Sequence, residues 1–399
     1  MPSIYWLWLG GLAWTTIGVN LLSFGMVWTA TAHSGLLAGV VLFSTTLPRV
    51  ILALFGGAVA DRLGPLRLMF TSDAAMSAFC ASAAALVVVV GPHPALLIGV
   101  ALMLGIADAF YYPAAGAVPK FLVPSAGLPR ALSARQLVIF AGSVAGPALG
   151  GVAVSAAGLP LSLALGSAGF AGMLLILAKV RRRMQQPAHQ NHAATPSDVI
   201  GQMRAGLRFA LTTPLLRAVV LVTSAFALFV LPLTSIMVPL VARDRGWEAE
   251  LAGVTAGVFS AGMAALALWV MWRSGAQRAG AAAICGMLIT GAGILGFAAA
   301  HYEVWAILAV LVTGLGAGLF SAHLGPLFVA ATAPEYMARV QSVMMIAQAA
   351  PMMIAGPVIG VLADLLPVGV IVLIWGAGAL VVGCGSLFSR PLRKAQRPS

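Results

Sequence analysis

Apolar runs of about twenty residues recur along this chain, and no other feature limits its fold so severely. A helix rises about 1.5 Å per residue, so such a run matches the roughly 30 Å hydrocarbon layer of a bilayer. Twelve runs stand out, at roughly 6–31, 36–60, 66–91, 95–118, 133–157, 160–180, 216–241, 250–272, 279–299, 304–330, 340–364 and 367–388. Strands of a membrane barrel would be about ten residues long and alternate in polarity, a pattern this sequence lacks. Backbone groups in lipid must be satisfied within their own segment, so the runs are helices. Composition agrees: 61% of the 399 residues are hydrophobic and 8% are charged, against about half and about a quarter in soluble domains. Too few polar side chains remain to cover a soluble surface. The 45 glycines and 23 prolines fit a lipid solvent, where small residues let helices approach and neighbours re-satisfy the backbone at proline. The first run is too long for a cleaved signal and lacks a basic leading region, so it reads as a retained span.

The basic residues sort to one side. With both termini cytoplasmic, nineteen of the 22 Lys and Arg fall on inner loops, inner helix ends or the tail, Arg135 and the cluster from Arg390 to Arg397 among them. Arg243 and Arg245 fall outside, and Arg49 falls within the second run. This is the positive-inside asymmetry of a multi-pass inner-membrane protein. Topology therefore accounts for the net charge of +12, and no nucleic-acid partner is expected. Cys80, Cys285 and Cys384 lie in three different runs without paired spacing. They read as buried small hydrophobes rather than as a disulfide or zinc framework.

The longest inner loop, "RRRMQQPAHQNHAATPSDVIGQMRAGLRFALTTPLLR", divides the runs six and six. The expected organisation is a bundle over 1–180, a linker over 181–215, a second bundle over 216–389 and a basic tail over 390–399. The linker opens polar, with His189 and His192 read as solvated rather than metal-binding. From Ser197, a candidate cap, it becomes a helix with an apolar stripe of Ile200, Met203 and Leu207, suited to the inner membrane surface. The halves repeat: "RALSARQ" at Arg130 matches "RVQSVMM" at Arg339, and "GPALGG" at Gly146 matches "GPVIGV" at Gly356, at offsets of 209 and 210. Parallel six-helix repeats build one large class of secondary transporter, with the binding site between the halves.

Charges inside apolar runs need a reason. Arg49 lies twelve residues, or about 18 Å of helix, before Asp61, which places it near the bilayer middle. A charge there costs at least about 2.5–3.5 kcal/mol on insertion scales, so it needs a partner or a watery cavity. The acids within reach are Asp73 in the third run and Asp108 in the fourth, and Asp108 alone sits at a similar depth. A purely structural ion pair and a direct part in proton or substrate coupling are both open. They are compatible, because protonating Asp108 would release Arg49.

After the second run come Gly57, Asp61, Arg62, Gly64 and Arg67. In this pattern the chain resembles the major facilitator superfamily, with Pro65 and Leu66 standing where two basic residues usually follow the second glycine. The stretches "LPRVILALFGGAVADRLG", "GIADAFYYPAAGAVPKFLVP", "RAGLRFALTTPLLR" and "AGPALGG" are similar to the bacterial exporter branch that includes enterobactin and macrolide efflux transporters. The resemblance implies an all-α membrane protein of twelve transmembrane helices in two pseudo-symmetric six-helix bundles. It implies an inner gate at Gly57, Asp61, Arg62, Gly64 and Arg67 with Arg130 and Arg339, where the bland alternative is a surface loop shaped by the charge rule. It further implies a substrate cavity lined by the first, fourth, seventh and tenth runs. These offer Thr16, Asn20 and Ser23 on one face, then Tyr111 and Tyr112, then Thr223, Phe226 and Thr234, with His323 towards the inner end of the tenth. Each hydroxyl or amide could equally bond a neighbouring helix, and Phe226 more readily packs than touches a ligand. Asp108 is the first candidate proton carrier and His323 the second.

Enzyme readings lack their parts: there is no Gly-Lys-Ser/Thr phosphate loop, no His-Glu-x-x-His and no Gly-x-Ser-x-Gly. The expectation is a monomeric exporter in the bacterial inner membrane, moving small amphipathic or hydrophobic molecules without a cofactor and driven by a proton gradient. A nutrient importer and a non-transporting receptor or scaffold are the alternatives.

Overall fold

The computed structural model describes residues 2–183, 199–273 and 276–396. Among them every regular element is helical. Unbroken helices are α1 (Ser3–Thr31), α2 (Gly35–Leu63), α3 (Pro65–Val90) and α4 (Pro94–Leu122). The 56-residue α5 (Leu128–Arg183) is two helices joined at Ala157 and Gly158, whose φ of +68° only glycine adopts freely. Among the described residues, eleven helical stretches are long and apolar enough to cross a membrane, and the bend in α5 turns one of them into two. The protein is therefore a multi-pass membrane protein whose spans follow the apolar runs closely.

The remaining elements are α6 (Val199–Thr212), α7 (Pro214–Phe229), a π-helical turn (Leu233–Met237), α8 (Val238–Asp244), α9 (Ala249–Trp272) and α10 (Ala279–Ala299). After them come α11 (Glu303–Ala331), α12 (Met337–Leu365), α13 (Val368–Leu387) and the short α14 (Arg390–Arg393). Helix-to-helix turns are cut by glycine and proline: Gly64, at φ +81°, stands directly before Pro65 at the first turn of α3.

The seventh run, unbroken in sequence, is interrupted in the structure. Pro232 has no N–H to give to the carbonyl of Leu228, four residues back. The Trp375 indole N–H from α13 donates to that carbonyl at 2.9 Å instead, and the chain continues through the π-helical turn into α8. Membrane helices tolerate such breaks where a neighbour supplies the missing bond.

The chain folds into two compact units, Met1–Ala193 with Arg245–Gly257, and Ala194–Asp244 with Val258–Ser399. The sequence repeat has a structural counterpart in each. A three-residue 3-10 turn, Ser125–Gly127 or Pro334–Tyr336, precedes a helix beginning at Leu128 or Met337, positions 209 residues apart. In the first unit, Gly18 of α1 lies against Gly169 of α5, where an added Cβ would come within 3.4 Å of backbone.

One expectation needs correction. Cys80 is buried, but Cys285 and Cys384 are exposed on helix surfaces; an apolar thiol suits lipid as well as a core. The linker helix α6 packs on α12 and the turn before it. Gly206 lies against the backbone of Arg339 in α12, and Phe209 stacks on Tyr336 at 4.3 Å with rings 5° apart. The linker residues His189, His192 and Ser197, and the side chains of Ile200 and Met203, lie outside the described residues.

Candidate functional site

Arg49 and Asp108 are each the fifteenth residue of a 29-residue helix, α2 and α4 respectively. These helices run in the same direction along the fold, so equal position means equal depth. Their approach is set one turn earlier, where Gly105 of α4 lies against the carbonyl of Thr45 and an added Cβ would also come within 3.2 Å of Pro48 Cδ. No larger residue fits there. One turn on, the Arg49 guanidinium donates to Asp108 Oδ2 in an ion pair. The carboxylate side is closed and the guanidinium side open: the side chains are 7% and 44% exposed. The open guanidinium lies 5.4 Å from the Tyr112 ring centroid, in cation–π range.

Behind the pair, within the first unit, is a narrow cavity of about 40 Å³, room for about two or three waters. Thr16 and Asn20 of α1 line it with Asp108, Tyr111 and Tyr112 of α4. Thr16 donates its hydroxyl to Leu12 O at 2.7 Å, and Asn20 donates its amide to Thr16 O at 2.8 Å, so both are partly spent on their own helix. Ser23 does not line the cavity.

Two further groups at this cavity escape a reading of the sequence. Asp73 of α3, which the sequence offers only as a partner for Arg49, is 1% exposed, and its Oδ2 has no hydrogen-bond partner. Arg135 of α5, one of the inner basic residues by its position in the chain, lines the same cavity with its Nε buried and unpartnered. Their signal in the sequence is a charge within a span, the same signal that marks Arg49.

The other predicted residues lie elsewhere. In the second unit, Phe226 stacks on Phe320 at 4.6 Å with rings 5° apart, so its ring is committed to packing. Thr223 is buried with an unpartnered hydroxyl, and Thr234 is half-buried in the π-helical turn. His323 is 4% exposed; its Nε2 accepts the Ala276 N–H at 3.0 Å, which leaves Nδ1 to donate to Leu319 O at 2.9 Å. These bonds select one neutral tautomer. Of the proposed gate, Gly64 makes the positive-φ turn, Arg67 and Arg130 are exposed, and Arg339 lies 5.6 Å from the Tyr336 ring centroid. The surroundings of Gly57 and the side chains of Asp61 and Arg62 lie outside the described residues. No group of three metal-ligating side chains occurs among the described residues.

An ion pair at mid-helix beside a small, mostly apolar cavity, in a chain of repeated helical halves, is the arrangement expected of a membrane transport protein. The chain belongs to the major facilitator superfamily, whose family model matches residues 7–356. It is 26% identical over 271 residues to the multidrug efflux pump Tap of Mycolicibacterium fortuitum, covering 66% of this chain and 65% of that one. It is 27% identical over 229 residues to the uncharacterized MFS-type transporter YfiS of Bacillus subtilis, covering 56% and 52%. The chain thus spans less than two thirds of the length of these curated relatives. Among solved structures it matches a mutant of the nucleoside transporter NupG, with a TM-score of 0.75, 16% identity and coverage of 97% and 100%. It matches a peptide transporter POT bound to sulfate at 0.76, with 15% identity and coverage of 97% and 96%. At such identities these structures establish the fold alone.

Proposed function

We propose that this protein exports small amphipathic or hydrophobic molecules by alternating access, in exchange for protons, with Asp108 as the proton carrier. The observation that carries the reading is the Arg49–Asp108 ion pair at mid-depth in two membrane helices. Protonating Asp108 removes the charge that holds Arg49, so the two protonation states favour different contacts between α2 and α4. That differential is what a proton needs in order to shift a conformational equilibrium. His323 ranks second as a carrier because both its ring nitrogens are already engaged.

A 40 Å³ cavity admits water and protons but no drug-sized ligand, which needs several hundred Å³. The substrate therefore enters in another conformation, with Thr16, Asn20, Tyr111 and Tyr112 of the first unit among its contacts. Gly57, Asp61, Arg62, Gly64, Arg67, Arg130 and Arg339 act as the cytoplasmic gate. The export direction is supported by the likeness to a multidrug efflux pump. Placement in a bacterial inner membrane with both termini cytoplasmic is supported by the basic asymmetry.

Dye retention and drug resistance in an efflux-deficient bacterial host, comparing wild type with Asp108→Asn at matched membrane expression, test this. Export predicts low retention for wild type and host-level retention for the variant. Equal retention by wild type, variant and empty host across a broad panel would remove drug efflux as the function.

A further inference from the structure

At one end of the second unit, a surface groove of about 670 Å³ runs between α10 and α13 and is closed off by the chain's last described turn. Its two parts differ in chemistry. The walls along the helices are apolar: Ile284 and Leu288 from α10, Leu387 from α13. The mouth is basic, formed by Arg278 before α10 and by Arg393 and Lys394 from the tail. No acidic residue lines the groove, and none of the three cations is ion-paired among the described residues.

These cations are held in place. Leu392 is fully buried, its carbonyl against Gly280, and the Gly280 N–H donates to Ala395 O at 3.1 Å. The tail is thereby fastened to the start of α10, and Arg393 and Lys394 stand over the groove. Beside it, at the end of α13, Leu387 is 42% and Phe388 86% exposed. The basic mouth lies where two spanning helices end, which is headgroup depth.

We propose that this groove binds one anionic phospholipid, its phosphate among Arg278, Arg393 and Lys394 and an acyl chain along Ile284, Leu288 and Leu387. The positive-inside rule accounts for basic residues near a helix end, but not for three unpaired cations converging on an apolar groove. A zwitterionic lipid offers the same chains with no net charge, so the cations select the anionic headgroup. A phosphate ion would use the mouth and leave the groove empty.

Cys285 lines the groove, whereas Cys384 is exposed outside it and Cys80 is buried, so the protein carries its own reporter and control. Purified, delipidated full-length protein in detergent would be treated with a maleimide, with phosphatidylglycerol, phosphatidylcholine or inorganic phosphate added. Phosphatidylglycerol is expected to slow modification at Cys285 at least about tenfold while leaving Cys384 unchanged, and phosphatidylcholine to do neither. Native mass spectrometry should show one retained phosphatidylglycerol per chain. The R278Q/R393Q/K394Q variant should lose about a hundredfold in that preference, and Arg393→Glu alone, at an exposed position, should weaken it if the triple variant does not fold. Equal protection by both lipids, or unaltered preference in the variants, overturns the proposal. Protection by inorganic phosphate equal to that by phosphatidylglycerol overturns the lipid assignment in favour of a simple anion site.

Discussion

Breaking the Arg49–Asp108 pair from one side should cost more than dissolving it from both. Asp108 is nearly closed from solvent while Arg49 is 44% exposed along its side chain, so the pair lies between the buried and surface limits. Truncating one partner of a fully buried pair costs about 3–5 kcal/mol, and an exposed pair contributes less than about 1 kcal/mol. Half-exposure of one partner brings the expected coupling to about 2 kcal/mol, a factor of about thirty in an equilibrium constant. Asp108→Asn leaves a cation at mid-membrane and Arg49→Gln leaves a buried anion, so each single variant should melt below wild type. The double variant should recover most of the loss. Reversible unfolding in mixed detergent, followed for the four proteins of the cycle, measures the coupling directly. Strictly additive losses would show that the two charges do not depend on one another, and the account of Asp108 protonation releasing Arg49 would be wrong.

Three further outcomes follow from the packing. Asp73→Asn replaces a buried carboxyl group that has no bonded partner at Oδ2, so its melting temperature should match or exceed that of wild type; a loss above about 1 kcal/mol would mean that the carboxyl is engaged. Gly105→Ala drives a Cβ into the Thr45 carbonyl and should cost about 1–3 kcal/mol, with dye export lost through displacement of Asp108; normal export would detach the pair from this approach. Trp375→Phe leaves the Leu228 carbonyl without its donor beside Pro232 and should cost about 1–3 kcal/mol, read by thermal melting, whereas Trp375→Phe combined with Pro232→Ala should regain part of it.

The spans were legible because length and polarity are what a bilayer selects, and the gap between the runs at 133–157 and 160–180 falls at the bend at Ala157 and Gly158. The ion pair was legible from depth alone, since a mid-span arginine needs an acid at the same level. Facing was not legible. Lipid and helix core are both apolar, so nothing in the residues around Cys285 and Cys384 distinguished an outward thiol from an inward one. Arg135 is placed in sequence by its height along a helix, and height says nothing of the side to which a guanidinium turns. The break in the seventh run was not legible: prolines are tolerated in such runs, and the donor that accompanies the break at Pro232 comes from Trp375, 143 residues later.

The central claim, proton-coupled export through Asp108, is tested most directly in everted membrane vesicles energised with a proton gradient, using ethidium or another dye extruded in the cell assay. Wild-type vesicles should accumulate the dye and release it when a protonophore is added. Asp108→Asn vesicles should show no gradient-driven accumulation yet still exchange internal for external dye. Gradient-driven accumulation by Asp108→Asn at the wild-type rate would contradict the account.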